Sequence, residues 1–318
     1  MPATTRRPQG GRAATVLTAT ALTASALTVG LAASAPPAGA ADPPATVSAG
    51  AGFAACMKTQ HAGDVLLLLD QSQSLRTSDP DPAVQQRPGL PARVEGSNLL
   101  LQGLADLSAI ASVKLNVAVS GFDSTYQKVA DWQPLTADSL PALSKQVTSF
   151  RSRTGGPDTD YDAALEQAHD DLAARAGTGD SGAACQAIVM FTDGAFSLLN
   201  RNTAELRQKY PSTPRPYAPN KPLTSQDNVD SAQKAGRDDL CRTGGPADAL
   251  RTNGVKLLAF ALQGTSQPGD FNLLQALATG TSPGDPSSCG SITSPLPGDF
   301  RLAGNVDNLL FAMNAVLA

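Results

Sequence analysis

Asp70, Ser72 and Ser74 stand at alternate positions directly after the apolar run Val65-Leu66-Leu67-Leu68-Leu69. A carboxylate and two hydroxyls spaced this way can project toward one point from an extended turn. Oxygen-only ligands of this kind suit a hard cation such as Mg²⁺ or Mn²⁺. Two further groups of small oxygen-bearing residues follow. Thr159 lies in the turn Thr154-Gly155-Gly156-Pro157-Asp158-Thr159-Asp160, and Asp193 follows the apolar run Ala187 to Phe191 within Thr192-Asp193-Gly194. Taken singly, each has a plainer use: Asp70 as a turn cap, the serines as turn formers, Thr159 as a helix N-cap.

The elements around these residues decide whether they meet. A short, wholly apolar run reads as a parallel strand buried on both faces, so strands are expected near 64–70 and 187–191. Val113, Leu115, Val117 and Val119 alternate with more polar residues, a strand with one polar face. Residues 125–132 suit an edge strand joined by a tight connection at 121–124. Further strands are expected at 255–262 and 299–303. Helices are expected near 95–111 (with Leu99, Leu100, Leu104 and Leu107 inward), 138–151, from 160 onward (with Leu165, Ala168 and Leu172 inward), 229–242, 246–252, 269–278 and 306–317. Asp160, Asp162 and Glu166 read as surface residues complementing a helix dipole. Strands alternating with helices make an α/β protein, with a parallel sheet wound by helices on both faces. In such sheets ligands bind beyond the carboxyl ends of the strands, which is where Asp70 and Asp193 fall.

Asp-x-Ser-x-Ser, a later Thr before a helix, and Thr-Asp-Gly after an apolar strand together resemble the von Willebrand factor type A (VWA) domain, here of a secreted bacterial type. The resemblance covers about residues 60–317. It implies a doubly wound, mostly parallel six-stranded sheet with one antiparallel edge strand. It also implies a metal-ion-dependent adhesion site made by Asp70, Ser72, Ser74, Thr159 and Asp193. Ser72 and Ser74 would coordinate Mg²⁺ or Mn²⁺ directly, and Thr159 directly or through water. Asp70 and Asp193 would act largely through bound waters. A Glu or Asp of a protein partner is the sixth ligand in that family. The chemistry agrees, because three hydroxyls and two carboxylates leave a divalent cation underneutralised and attractive to an outside carboxylate. The family's sheet order, with the first and fourth strands adjacent, implies the disulfides Cys56–Cys185 and Cys241–Cys289.

The remainder of the chain fits an exported protein. Arg6, Arg7 and Arg12 precede an uncharged Ala/Thr/Leu/Val stretch, and Ala38-Gly39-Ala40 offers a cleavage site, so residues 1–40 read as a secretory signal rather than a retained membrane anchor. Residues 41–60 read as a linker rich in Pro, Ala, Gly and Ser at its start, and 61–318 as the domain. Removing three positive charges and no negative ones takes the formal charge from −4 to −7, with no electrostatic footprint for nucleic acid. No second apolar stretch is long enough to span a membrane. Four cysteines, an even number, suit two disulfides, and none of their spacings resembles a zinc site.

Two departures from the family pattern stand out. The loop after Ser74 is long and contains proline. An insertion at about 195–228 carries Arg201, Arg207, Lys209, Tyr210, Arg215, Tyr217 and Lys221 directly after Asp193, a basic and aromatic character that suits an acidic partner. The functional expectation is an extracellular, cation-dependent protein-binding module, not an enzyme. The alternatives are a phosphatase-like metal-dependent hydrolase and a structural module with a vestigial site. A hydrolase needs a nucleophile or base beside the metal. His61 precedes the first strand, roughly 20 Å away at about 3.3 Å per strand residue. His169 lies ten residues after Thr159, roughly 15 Å along a helix rising about 1.5 Å per residue.

Overall fold

The computed structural model describes residues 49–86, 88–156, 158–176, 185–194, 240–241, 243–262, 271–279 and 299–303. The run Val65–Leu69 lies within β1 (Ala62–Asp70), and every residue from Gly63 to Asp70 is buried. The alternation of side chains along the strand sends Val65, Leu67 and Leu69 into one core and Leu66 and Leu68 into another. Two cores on opposite faces of one strand explain why Val65 to Leu69 are all apolar, while the buried Asp64 before them accepts the Asn116 amide at 3.0 Å.

β1 lies at the centre of the sheet, whose order is β3-β2-β1-β4-β5-β6. β2 (Lys114–Phe122) pairs parallel with β1, and β3 (Tyr126–Pro134) pairs antiparallel with β2. On the other side β4 (Cys185–Thr192), β5 (Lys256–Leu262) and β6 (Asp299–Ala303) are all parallel. The chain therefore builds outward from β1 in one direction, then returns to β1 and builds outward in the other. Asp70 and Thr192 end the two strands that flank this reversal, the place where a parallel sheet opens a crevice. β3 is the half-exposed edge strand, with Gln127, Lys128 and Asp131 toward solvent.

Helices pack on both faces. One core gathers Phe53 and Met57 of α1 (Ala49–Gln60), Leu100, Leu101 and Leu104 of α3 (Ala92–Ala111), and Leu143 and Val147 of α4 (Leu140–Thr148). The opposite core takes Leu165 and Leu172 of α5 (Tyr161–Ala176), Leu250 of α6 (Pro246–Thr252), and Leu274 and Leu277 of α7 (Asn272–Thr279). Between β1 and α3 lie α2 (Leu75–Ser78) and a 3₁₀ turn over Pro82–Gln85; a second 3₁₀ turn, Ser149–Ser152, follows α4.

Two expectations change. The stretch read as linker holds α1, whose small residues conceal an inward pair four apart, Phe53 and Met57. In α3 the buried stripe runs through Arg93, Val94, Ser97, Leu100, Leu101 and Leu104, while Leu99 is 38% exposed. Two polar residues in that stripe rotate its apparent apolar face away from the real one. The expectations for residues 1–40, for the insertion at about 195–228 and for the helix at 306–317 lie outside the described residues, and that at 229–242 does so except at 240 and 241.

α1 is tied to the sheet by the disulfide Cys56–Cys185, with Cα atoms 5.9 Å apart. Cys241 is also disulfide-bonded; Cys289 lies outside the described residues. The first bridge closes a separation of 129 residues, so replacing Cys56 and Cys185 together by Ser is expected to lower stability by about 2–5 kcal/mol in urea unfolding. An unchanged midpoint would mean that α1 is held by packing alone.

Candidate metal centre

The bend after β1 is made by Asp70 itself. One carboxylate oxygen, Oδ1, accepts the Ser72 N–H at 2.7 Å, turning the chain back on the aspartate. The other, Oδ2, accepts the Thr192 hydroxyl at 2.6 Å across to the end of β4. The turn leaves the hydroxyls of Ser72 and Ser74 2.9 Å apart, Ser72 buried and Ser74 at the surface. Ser74 directly precedes α2, and the last residue of α2, Ser78, donates its hydroxyl to Asp193 Oδ2 at 2.5 Å. Asp70, Ser72, Ser74 and Asp193 are thus joined by one short hydrogen-bonded circuit.

The loop carrying Thr159 is docked on the same turn. Ser72 and Gly156 form a parallel bridge, and Gln73 donates its N–H to the Gly156 carbonyl at 2.6 Å. A side chain at position 156 would place its Cβ 2.2 Å from Asp123 Cβ, so only glycine permits this approach. Asp123 accepts the Asp160 N–H through its carbonyl at 2.8 Å and the Gln71 amide through Oδ2 at 3.1 Å. Two residues past Thr159, the Tyr161 hydroxyl lies 3.2 Å from that of Thr192. Thr159 is buried in this setting.

Asp160, not Thr159, caps α5: its Oδ1 accepts the N–H groups of Asp162 and Ala163, each at 3.1 Å. Asp160 and Asp162, expected at the surface, are buried. Capping explains the first, since a side chain folded onto its own helix terminus needs no water. Sequence reading missed Ser78 and Tyr161, and placed Gly156 and Asp123 only in turns, with no part in the site. It quoted Thr192 only as the neighbour of Asp193. The hydroxyls gave no signal, because a lone Ser or Tyr is unremarkable until the fold brings it to a carboxylate. The two histidines stand elsewhere: His61 precedes β1 at its far end, and His169 Nε2 is 2.6 Å from the Asn253 amide.

Burial pushes the Asp70 carboxyl up to about 7, and the nearby charge of Asp193 adds to the rise. The hydrogen bonds from Thr192 and Ser72 oppose it only in part. Two buried carboxylates thus repel one another at the ends of adjacent strands, the condition a divalent cation relieves. Among the described residues, no three His, Cys, Asp or Glu side chains gather as a metal-holding group. The donors assembled here are instead two carboxylates and hydroxyls, all oxygen, a set that fits a hard cation retaining several waters.

No family model and no curated protein matches the sequence. Among solved structures, the PilB minor pilin from Streptococcus sanguinis aligns with 80% of this chain and 60% of its own, at 12% identity and a TM-score of 0.53. The vWF domain of the type V pili tip protein Mfa5 from Porphyromonas gingivalis aligns at 13% identity and a TM-score of 0.47, over 80% and 94% of the two chains. A von Willebrand factor type A structure from Catenulispora acidiphila aligns at 11% and 0.46, over 80% and 42%. The fold is VWA-like. At these identities the likeness is one of fold, and this chain spans about three fifths of the pilin's length. In this VWA-like domain the hydrogen-bonded circuit occupies the crevice at the centre of the sheet.

The raised carboxyl has a measurable consequence. Folded Asp70 holds its proton up to about pH 7, whereas an ordinary Asp releases it near 3.8. Between those values the folded state binds more protons, so stability falls as pH rises. In chelator, the melting temperature is expected to decline from pH 4.5 to 7.5, and Asp70→Asn should flatten that decline. An equal slope in the variant would assign the effect to other groups.

Proposed function

We propose that this VWA-like domain is an extracellular, cation-dependent protein-binding module. Ser72 and Ser74 would hold Mg²⁺ or Mn²⁺ directly, Thr159 directly or through water, and Asp70 and Asp193 largely through bound waters. When bound, the cation supplies a Lewis-acidic position that a carboxylate from outside can take. The observation that carries this reading is the hydrogen-bonded circuit that draws Asp70, the Ser72–Ser74 hydroxyl pair and Asp193 together at the sheet reversal.

The protein's own residues supply position and selectivity. Thr192 and the Ser72 N–H fix both oxygens of Asp70, so that carboxylate is oriented before anything binds. Ser78 holds one oxygen of Asp193, Oδ2. Because the donors include neutral hydroxyls, the pocket would leave net positive charge on its outer side, where an acidic side chain of a partner protein would dock. Export is supported by the signal-like N-terminus and by the disulfide Cys56–Cys185. An adhesive role is in keeping with the pilin likeness in fold. Among the described residues, no helix is long and apolar enough to cross a membrane. A hydrolytic reading needs a base beside the cation, and His61 and His169 stand elsewhere.

Titration calorimetry with Mg²⁺ and Mn²⁺ tests the reading. The wild type should show saturable binding at one site, lost in both Asp70→Ala and Asp193→Ala, with each variant still giving a cooperative melt. A folded wild type that takes up neither ion would reduce the likeness to one of fold.

A further inference from the structure

A cleft of about 410 Å³ opens beside the proposed cation site, in the region built by the proline-containing loop after Ser74. Leu75, Arg76, Asp81 and Val84 line one wall, and Arg151 and Thr154 the other. Both walls adjoin the site. Leu75 follows Ser74, and Thr154 stands two residues before Gly156, the bridge partner of Ser72.

The cleft has a definite charge. Arg151 pairs with Asp81 at 2.5 Å. Arg76 is exposed, and its Nε donates to the Thr154 carbonyl at 2.8 Å; among the described residues it makes no ion pair. Among the described residues, the Arg76 guanidinium therefore faces the cleft without a counter-charge, in a chain whose overall charge is −4. Val84 is 83% exposed at the rim, an apolar side chain on a loop that could have carried a polar one.

The walls are also pre-set. Arg93, fully buried, pairs with Asp79 at 2.7 Å and donates to the Phe150 carbonyl at 2.8 Å, tying the two walls together from beneath. Asp79 in turn accepts the Ala92 N–H at 2.6 Å. A ligand entering such a cleft has little protein to order, which favours specific contact.

We propose that this cleft is the partner-specificity subsite of the docking face. It takes a second carboxylate, on Arg76, and a neighbouring aliphatic side chain, against Val84, from an acidic segment of a partner protein whose first carboxylate sits on the cation. The proposal rests on the cation-dependent reading above. Charge complementarity names the occupant: the cation and the adjoining Arg76 guanidinium are two positive points on a chain of net negative charge, so a segment with two acids is selected by their spacing.

Random peptides displayed on phage, selected on the wild-type protein with Mg²⁺ and eluted with chelator, test it. The wild-type pool should be enriched in peptides bearing two acids and an aliphatic residue. A synthetic peptide from that pool should bind Arg76→Glu at least about tenfold more weakly, while its version with the second acid changed to amide should lose little. Val84→Ser, at a position 83% exposed, should weaken the same peptide while leaving the cooperative melt in place. Cation-dependent peptides with a single acid, indifferent to both variants, would overturn the subsite and leave the docking reading standing. A wild-type selection from which chelator releases no enriched peptide would overturn both.

Discussion

The burial of two carboxylates at neighbouring strand ends is the constraint on which the rest of this molecule depends. Asp70 and Asp193 end the segments that flank the reversal of strand order, and both are withdrawn from water. Taking charge out of water is costly unless hydrogen bonds or counter-charge offset it. The surrounding chain is arranged to supply the hydrogen bonds: Thr192 and the Ser72 N–H to Asp70, Ser78 to Asp193. These contacts define the turn after β1, the end of α2 and the junction with β4. Burial, with the charge of Asp193 added to it, still pushes the Asp70 carboxyl upward, and a cation would relieve both.

The same constraint explains the shape of the neighbouring loops. The turn after β1 must be short and held, so Gly156 bridges to Ser72 while lying closer to Asp123 than any side chain at that position would allow. The Arg93–Asp79 pair then secures the following loop against the end of α4 and its 3₁₀ turn. A fully buried arginine is expensive in isolation, but its contacts to a carboxylate and a carbonyl make it a strut rather than a defect.

Much of this was legible in the chain. Val65–Leu69 and Ala187–Phe191 announce buried strands because no position in them is polar, and Asp70 and Asp193 are conspicuous for following such runs. The edge character of residues 125–132 was readable from their polarity. The pairing Cys56–Cys185 came from the VWA resemblance rather than from spacing. Other features were hidden for physical reasons. α1 is composed of small residues and has little amphipathic contrast, so it passes for linker. α3 buries Arg93 and Ser97, which breaks the apolar period and misplaces Leu99. Ser78 and Tyr161 reach the site only through tertiary contacts that no local pattern encodes.

The most direct test of the central claim is a crystal structure of the protein grown with Mn²⁺, read by anomalous scattering at the manganese edge. A single strong peak is expected within coordination distance of the Ser72 and Ser74 hydroxyls, with Asp70 and Asp193 close by. A well-ordered crystal whose manganese peaks all lie elsewhere, or nowhere, would contradict it.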